Sequence, residues 1–253
     1  MSYRRPVWRP ALNRHPRLVA GFSTRHGGVS TPPYASLNVA HHVGDQPDRV
    51  SENRRRVCEA LAIAPDRLAT AEQVHGSTVR TVAAPGHTAD CDALVTTTPH
   101  LYLAVLTADC AAVLLADPDA GVIGACHAGW RGTVARIVPN TLNVMQQQGA
   151  SLARIRAYIS PCIGVEAFEV GPEVAAQFDA SVVDTSRGSR PHVDLTHALQ
   201  RQLQEAGLSA DHVEADTTCT ARSRDLYSYR ADGPTTGRMM GVIGWHPDPD
   251  DAA

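Results

Sequence analysis

The stretch that most constrains this chain is residues 101–132, LYLAVLTADCAAVLLADPDAGVIGACHAGWRG. Apolar runs of strand length at 101–107, 111–116 and 121–125 are separated by short breaks, and DPDAG between the last two is a strong turn signal. Strands so closely spaced predict antiparallel or mixed pairing, because a parallel crossover needs about a dozen residues or more. The run delivers two soft metal ligands: Cys110 closes TADC, and His127 opens HAGWRG. His75, upstream in AEQVHGSTV, is a third candidate. Two imidazoles and one thiolate converging from separate strands make a three-ligand zinc site, which keeps a fourth position for water or substrate. With 12 histidines in the chain, the argument rests on the set rather than on any one ring.

The flanking sequence reads as alternating strands and helices. Residues 18–22 form an opening strand, followed by STRHGGVSTPPYASLN, a long loop dense in turn formers. That loop offers Arg25 and Asn38 to a polar ligand, although a solvated surface turn uses the same residue types. Residues 45–62 predict a helix with Pro47 in its first turn and Val50, Val57 and Leu61 on one apolar face. Arg54, Arg55 and Arg56 are expected on its solvated side, and Pro65 ends it. His15, His87, His100 and His246 sit beside prolines or glycines and are expected in loops.

Residues 134–145 repeat apolar side chains at helical spacing, with Pro139 kinking the helix or starting it anew and Gly149 capping it. GWRG then lies at a helix amino terminus, where free N–H groups, the dipole and Arg131 favour an anion. The competing arrangement pairs Arg131 with a carboxylate and buries Trp130. A strand at 155–160 leads into PCIG with Cys162. Helices at 172–178 and 193–206, a strand at 213–215 and a last strand in GVIGW complete the pattern. The expectation is one α/β domain with mixed β-sheets flanked by helices, its core at about 17–246. The ends, 1–16 and 247–253, are expected to be extended or disordered.

Composition narrows the classes. Hydrophobic residues at 43% and charged residues at 19% suit a soluble globular protein, and a net charge of −3 gives no basic footprint for nucleic acid. Six scattered cysteines without a CxxC pair point to reduced thiols in a cytoplasm rather than a disulfide scaffold. No run approaches the roughly 20 apolar residues that span a bilayer, and the amino terminus lacks a signal-peptide pattern.

GFSTRHGGVS, SLNVAHHVGD, QVHG, TADC, HAGWRG, PCIG, FEVGPEV and YSYR with TGR occur in that order over about 21–245. Together they resemble the YfiH/laccase-domain family, also called multicopper polyphenol oxidase-like, better described as purine nucleoside phosphorylases with adenosine deaminase activity. The resemblance implies a YfiH-like fold, zinc on His75, Cys110 and His127, and phosphorolysis of adenosine, inosine and 5′-methylthioadenosine to free base and ribose 1-phosphate. It also implies hydrolytic deamination of adenosine. SPCIG stands where GPCIG is commoner, and YSYRADG carries Ala231 where an arginine is usual.

A zinc site of this kind lowers the pKa of bound water toward about 7, and deamination then needs a carboxylate to move protons. Asp109, beside Cys110, is the nearest in sequence, so the catalytic candidates are His75, Asp109, Cys110 and His127. Candidate substrate contacts are Arg25, Asn38, Gln73, Arg131 and Cys162, with Arg131, the GWRG amides and Arg25 holding phosphate. The expected partners are nucleosides and phosphate, for a monomer or homodimer, with no nucleic acid and no membrane. Three alternatives stay open. One is a copper polyphenol oxidase, although no HxH pairs are present and blue copper usually adds an axial ligand such as Met. Another is a cysteine hydrolase of cell-wall precursors, with Cys110 as nucleophile and His127 as base. The last is a non-enzymatic binding module with a structural zinc closed by Cys126 or Cys162; Cys126 should face away from His127, whereas Cys162 is free to join.

Overall fold

The computed structural model describes residues 5–246. Among these, the chain builds two six-stranded sheets and a small two-stranded ribbon. The first sheet contains β1 (Val7–Trp8), β2 (Leu18–Ser23), β3 (Leu68–Ala71), β5 (Gly86–Thr88), β7 (Tyr102–Thr107) and β14 (Met239–Trp245), in the order β1-β2-β14-β7-β3-β5. The second contains β4 (Val79–Thr81), β6 (Ala93–Thr96), β8 (Ala111–Asp117), β9 (Val122–Ala128), β10 (Arg156–Ile159) and β13 (Val213–Ala215), in the order β13-β10-β8-β9-β6-β4. The ribbon pairs β11 (Val183–Asp184) with β12 (His192–Val193). Both large sheets are mixed: β14 runs antiparallel to β2 and β7 while β3 is parallel to β7, and the β8–β9 hairpin adjoins the parallel β10–β13 pair. The expected α/β architecture with mixed sheets is what the chain forms.

Alternation along β8 shows how the layers stack. Ala112, Leu114 and Ala116 face Phe22, Leu103, Val105 and Ile243 in a core between the two sheets. Val113 and Leu115 point the other way, under α3 (Ile137–Gln147) and α5 (Leu195–Glu205), against Ile137, Leu142, Met145, Leu199 and Leu203. On the outer side of the first sheet, Val57 and Leu61 of α1 (Pro47–Leu61) cover Val19, Ala104 and Val242. Both faces of each sheet are therefore buried, which is why these strands read as continuous apolar runs. Where the sheets meet, a Cβ on Gly241 would lie 2.8 Å from that of Ala112, so the contact needs a glycine.

Several sequence expectations change in detail. Of the three closely spaced strands only β8 and β9 pair; β7 belongs to the other sheet, and the chain crosses from one sheet to the other at residues 108–110. The helix expected over 134–145 is two helices, α2 (Trp130–Val134) and α3, broken at Arg136 with φ 61°. Pro139 is the third residue of α3, where its missing N–H costs no intrahelical bond. The helix expected at 172–178 is only α4, Pro172–Ala175. Arg55 and Arg56 are solvated and grip Glu52 as expected, but Arg54 turns inward and donates from Nε to the Val39 carbonyl at 2.7 Å. His87 lies in β5 rather than in a loop. Residues 7–8 pair with β2 instead of trailing as an extended end, and residues 247–253 lie outside the described residues. No helix among the described residues is long and apolar enough to cross a membrane.

Asp117, at the end of β8, has a fully buried side chain that accepts from Arg154 Nε and Nη2 and from the Ser151 and Ala120 N–H groups. Burial alone would raise its pKa, but the Arg154 and backbone hydrogen bonds hold it below the usual carboxylate range. A depressed folded-state pKa contributes stability that is present above the unfolded value of about 3.9 and lost as pH falls through the folded value. Asp117→Asn should therefore cost about 1–3 kcal/mol at pH 7. It should also flatten the acid limb of stability against pH, read by urea unfolding from pH 7 down to 3. An acid limb identical to that of the parent protein would rule this carboxylate out as its source.

Candidate metal centre

Three chain segments bring the ligand set together. Cys110 ends the crossover between sheets, immediately before β8. His127, near the end of β9, pairs with Ala112 and shares the side of Ile123 and Ala125, which lie between the sheets. Cys126 points to the helix-covered face, as its alternation with His127 predicts. His75 sits on the turn after β3. The ligand atoms of His75, Cys110 and His127 all lie within 4.8 Å of one another, and the two rings stand edge to face with centroids 4.9 Å apart.

Asp92, which sequence reading missed, organises the group. Its carboxylate accepts from the Val74, His75 and Gly76 N–H groups at 3.1, 3.0 and 2.7 Å, and contacts His127 Nδ1 at 2.8 Å. Its backbone carbonyl also accepts from His127 N at 2.7 Å. Three successive amides wrapped on one anion form a nest, and the wrap puts His75 at φ 60°, a left-handed conformation uncommon outside glycine. With Nδ1 donating to Asp92, the His127 ring presents the Nε2 lone pair to the ligand set, the usual arrangement behind a ligating histidine. Asp92 itself is fully buried; burial opposes its charge, but the His127 and amide hydrogen bonds hold its pKa below the usual range.

The glycines of HAGWRG serve close packing. A Cβ on Gly129 would lie 2.6 Å from Cys110 Sγ, and one on Gly132 would lie 3.0 Å from the Gly76 carbonyl. Burial would push the Cys110 thiol up, yet His127 and His75 outweigh it and bring its pKa down to about 6. Burial likewise opposes charge on His127, but Cys110 and Asp92 raise it to about 9. One sulfur held as thiolate and two convergent imidazoles fit a borderline-soft divalent ion such as zinc. Among the described residues neither Cys126 nor Cys162 joins this group. Cys162 is buried against the Thr196 hydroxyl at 3.2 Å, and burial pushes its thiol up to about 12.

The group opens on a cavity of about 970 Å³. Gln73, Asp109, Trp130 and Arg131 line it as well; Arg25, Asn38 and Cys162 do not. Arg25 donates to the carbonyls of Ala35 and Leu226 and lies over the Tyr227 ring, bracing the 23–38 loop rather than meeting a ligand. Asn38 is buried and bonded to Ala40, Asp45 and the Arg238 N–H. Gln73 spends its amide on both backbone groups of Leu106 at 2.7 Å. Both Asp109 oxygens are taken, one by the Thr220 and Ser228 hydroxyls and the other by the Arg230 N–H, so its carboxylate anchors the 220–230 segment instead of standing free as a base. Arg131 stacks over Trp130 at 4.3 Å with no carboxylate partner among the described residues. The helix it begins has only five residues, so the expected amide-and-dipole anion site is not built there. His41, His42, Arg54, His87, Tyr229, Arg230 and Arg238 line the cavity and were not identified from sequence. Their sequence signals were the placement of His41 and His42 within SLNVAHHVGD, of Tyr229 and Arg230 within YSYR, and of Arg238 within TGR.

Asp92→Asn keeps the side chain's size but replaces an acceptor oxygen with a donor facing N–H groups. It should weaken zinc binding about 10–100-fold, measured by competition with a chromophoric chelator on protein whose fold is verified by circular dichroism. Unchanged affinity would deny Asp92 its part in holding the ligands.

Comparison with known proteins agrees with this fold. Residues 19–246 match the family described as multi-copper polyphenol oxidoreductase laccase. A purine nucleoside phosphorylase of Deinococcus radiodurans is 47% identical over 238 residues, covering 92% of each chain. One from Corynebacterium glutamicum is 41% identical, covering 93% of this chain and 96% of its own. The crystal structure of YlmD from Geobacillus stearothermophilus superposes with a TM-score of 0.91 at 31% identity, covering 98% of both chains. The chain therefore belongs to the multi-copper polyphenol oxidoreductase laccase family, the YfiH group of proteins.

Proposed function

We propose that this chain is a zinc-dependent purine nucleoside phosphorylase. It converts adenosine, inosine or 5′-methylthioadenosine with phosphate into free base and ribose 1-phosphate, and it also deaminates adenosine. The observation that carries the reading is the three-ligand group, open on one side, in the wall of a cavity that also holds aromatic rings and arginines with no carboxylate partner among the described residues. The names of the similar proteins support it. Zinc, when bound, supplies a Lewis acid and positive charge at that wall.

The chain's own residues do the rest. Trp130 and Tyr229 offer faces on which a purine ring can stack. The Thr107 hydroxyl, buried in the cavity wall with no hydrogen-bond partner among the described residues, is available to a ribose hydroxyl. Phosphorolysis breaks the glycosidic bond with positive charge building on the ribose, so the attacking anion must be held by fixed donors. Deamination replaces the C6 amino group with oxygen and needs a group that shuttles protons. Asp109 is committed to its three donors, so this role falls to Glu72, exposed on the cavity wall. The expected setting is the cytoplasm, where all six cysteines, which are free, stay reduced.

Adenosine and inosine incubated with and without phosphate test the reading. Adenine and hypoxanthine should appear only with phosphate, inosine should form from adenosine without it, and a chelator should stop both until zinc is restored. Phosphate-independent base release would exclude phosphorolysis. Activity restored by copper alone, with phenol oxidation and a visible absorption band, would favour the oxidase. Zinc should shield Cys110 from iodoacetamide; equal labelling with and without zinc would favour a cysteine nucleophile.

A further inference from the structure

The cavity has two chemically different ends. One carries His75, Cys110 and His127. The other carries His41 and His42, from a single helical turn at His41–Val43, Arg54 from the inward side of α1, and Arg238 just before β14. These residues come from three segments that the fold alone brings together.

Among the described residues no carboxylate forms an ion pair with any of these four side chains. Burial lowers the pKa of His42, and Arg238, Arg54, His41 and His87 around it all push the same way. His41 is lowered by burial and then by Arg54. Arg54 and Arg238 have no carboxylate partner among the described residues. Arg54 spends Nε on Val39, and Arg238 spends Nη1 on the carbonyls of Thr236 and Gly237. A guanidinium has five N–H donors, so both retain unused ones. Crowding like charges into a half-buried wall opposes folding, and such an arrangement is characteristic of a site whose ligand supplies the countercharge. Arginine's forked donors match phosphate oxygens. Arg238 also feels Asp109 and Cys110, so it stands between this lobe and the metal ligands.

We propose that the lobe formed by His41, His42, Arg54 and Arg238 binds the phosphate consumed in phosphorolysis, with the nucleoside lying between it and the metal group. The identity of the anion rests on the phosphorylase reading; the lobe's affinity for a phosphate oxyanion does not. In the reaction a phosphate oxygen bonds to C1′ as the C1′–N9 bond breaks. The electron pair leaves with the base, and the proton of hydrogen phosphate ends on the base.

Calorimetric titration of inorganic phosphate into the zinc-loaded full chain tests the placement. The variants are Arg54→Met, which keeps an apolar stem, the exposed pair His41→Gln/His42→Gln, and Arg131→Gln, with thermal unfolding as the check on folding. Phosphate affinity should fall about tenfold or more in each lobe variant and stay near the parent value in Arg131→Gln. Should Arg54→Met fail to fold, the histidine pair decides alone. Parent-like affinity in the folded lobe variants, or loss only in Arg131→Gln, would overturn the proposal while leaving phosphorolysis intact. Binding of adenosine 5′-monophosphate through these residues without binding of inorganic phosphate would also overturn it, making the lobe a nucleotide site. Phosphate bound at the lobe with no nucleoside cleaved would instead sink the phosphorylase reading and leave the lobe standing.

Discussion

One buried carboxylate holds the centre of this molecule together. Asp92 takes three consecutive amides of the His75 turn and the Nδ1 of His127, so a single anion fixes two ligands from separate segments. A charge of this kind is costly to bury unless every lone pair is engaged, and here hydrogen bonds converge on both oxygens. The left-handed backbone at His75 is the strain that this wrap imposes and that the hydrogen bonds offset. Without Asp92, the His75 turn would lose its anchor and His127 its fixed ring orientation.

A second buried carboxylate, next to Cys110 in the chain, plays a parallel part. Asp109 ties the 220–230 segment to the crossover between the sheets, while Asn38 and Asn53 lock the 23–38 loop to α1 and to the strand that follows Arg238. Many of the polar side chains near the cavity are thus occupied in holding loops. The groups left for a ligand among the described residues are the converging atoms of His75, Cys110 and His127, the Thr107 hydroxyl and the unused donors of the arginines in the basic lobe.

That lobe shows why net charge is a poor guide to a site. The chain is weakly acidic, at −3, yet one end of its cavity gathers two arginines and two histidines with no acid among them. Low-dielectric walls concentrate the field of such a cluster, and its effect on an anion depends on local geometry rather than on the total.

The layers and the cluster of His75, Cys110 and His127 were legible in the sequence. Apolar periodicity marked β7, β8, β9 and the helices that cover them, because burial on both faces leaves continuous runs, and Cys110 with His127 stood at strand ends where a ligand can emerge. His75 joined them as a candidate because a thiolate and two imidazoles at strand ends make a coherent donor set. Tertiary structure decided which polar residues face the cavity. Arg25, Asn38 and Gln73 looked like ligand contacts but bond to backbone, and Arg54 looked solvated but turns inward, because donors and acceptors are spent on whichever partner lies nearest in space. Asp92 lies 35 residues from His127, and no local pattern records that distance closing. Hydrogen-bond partnership across such separations is set by the packing of the two sheets, which composition and spacing do not encode residue by residue.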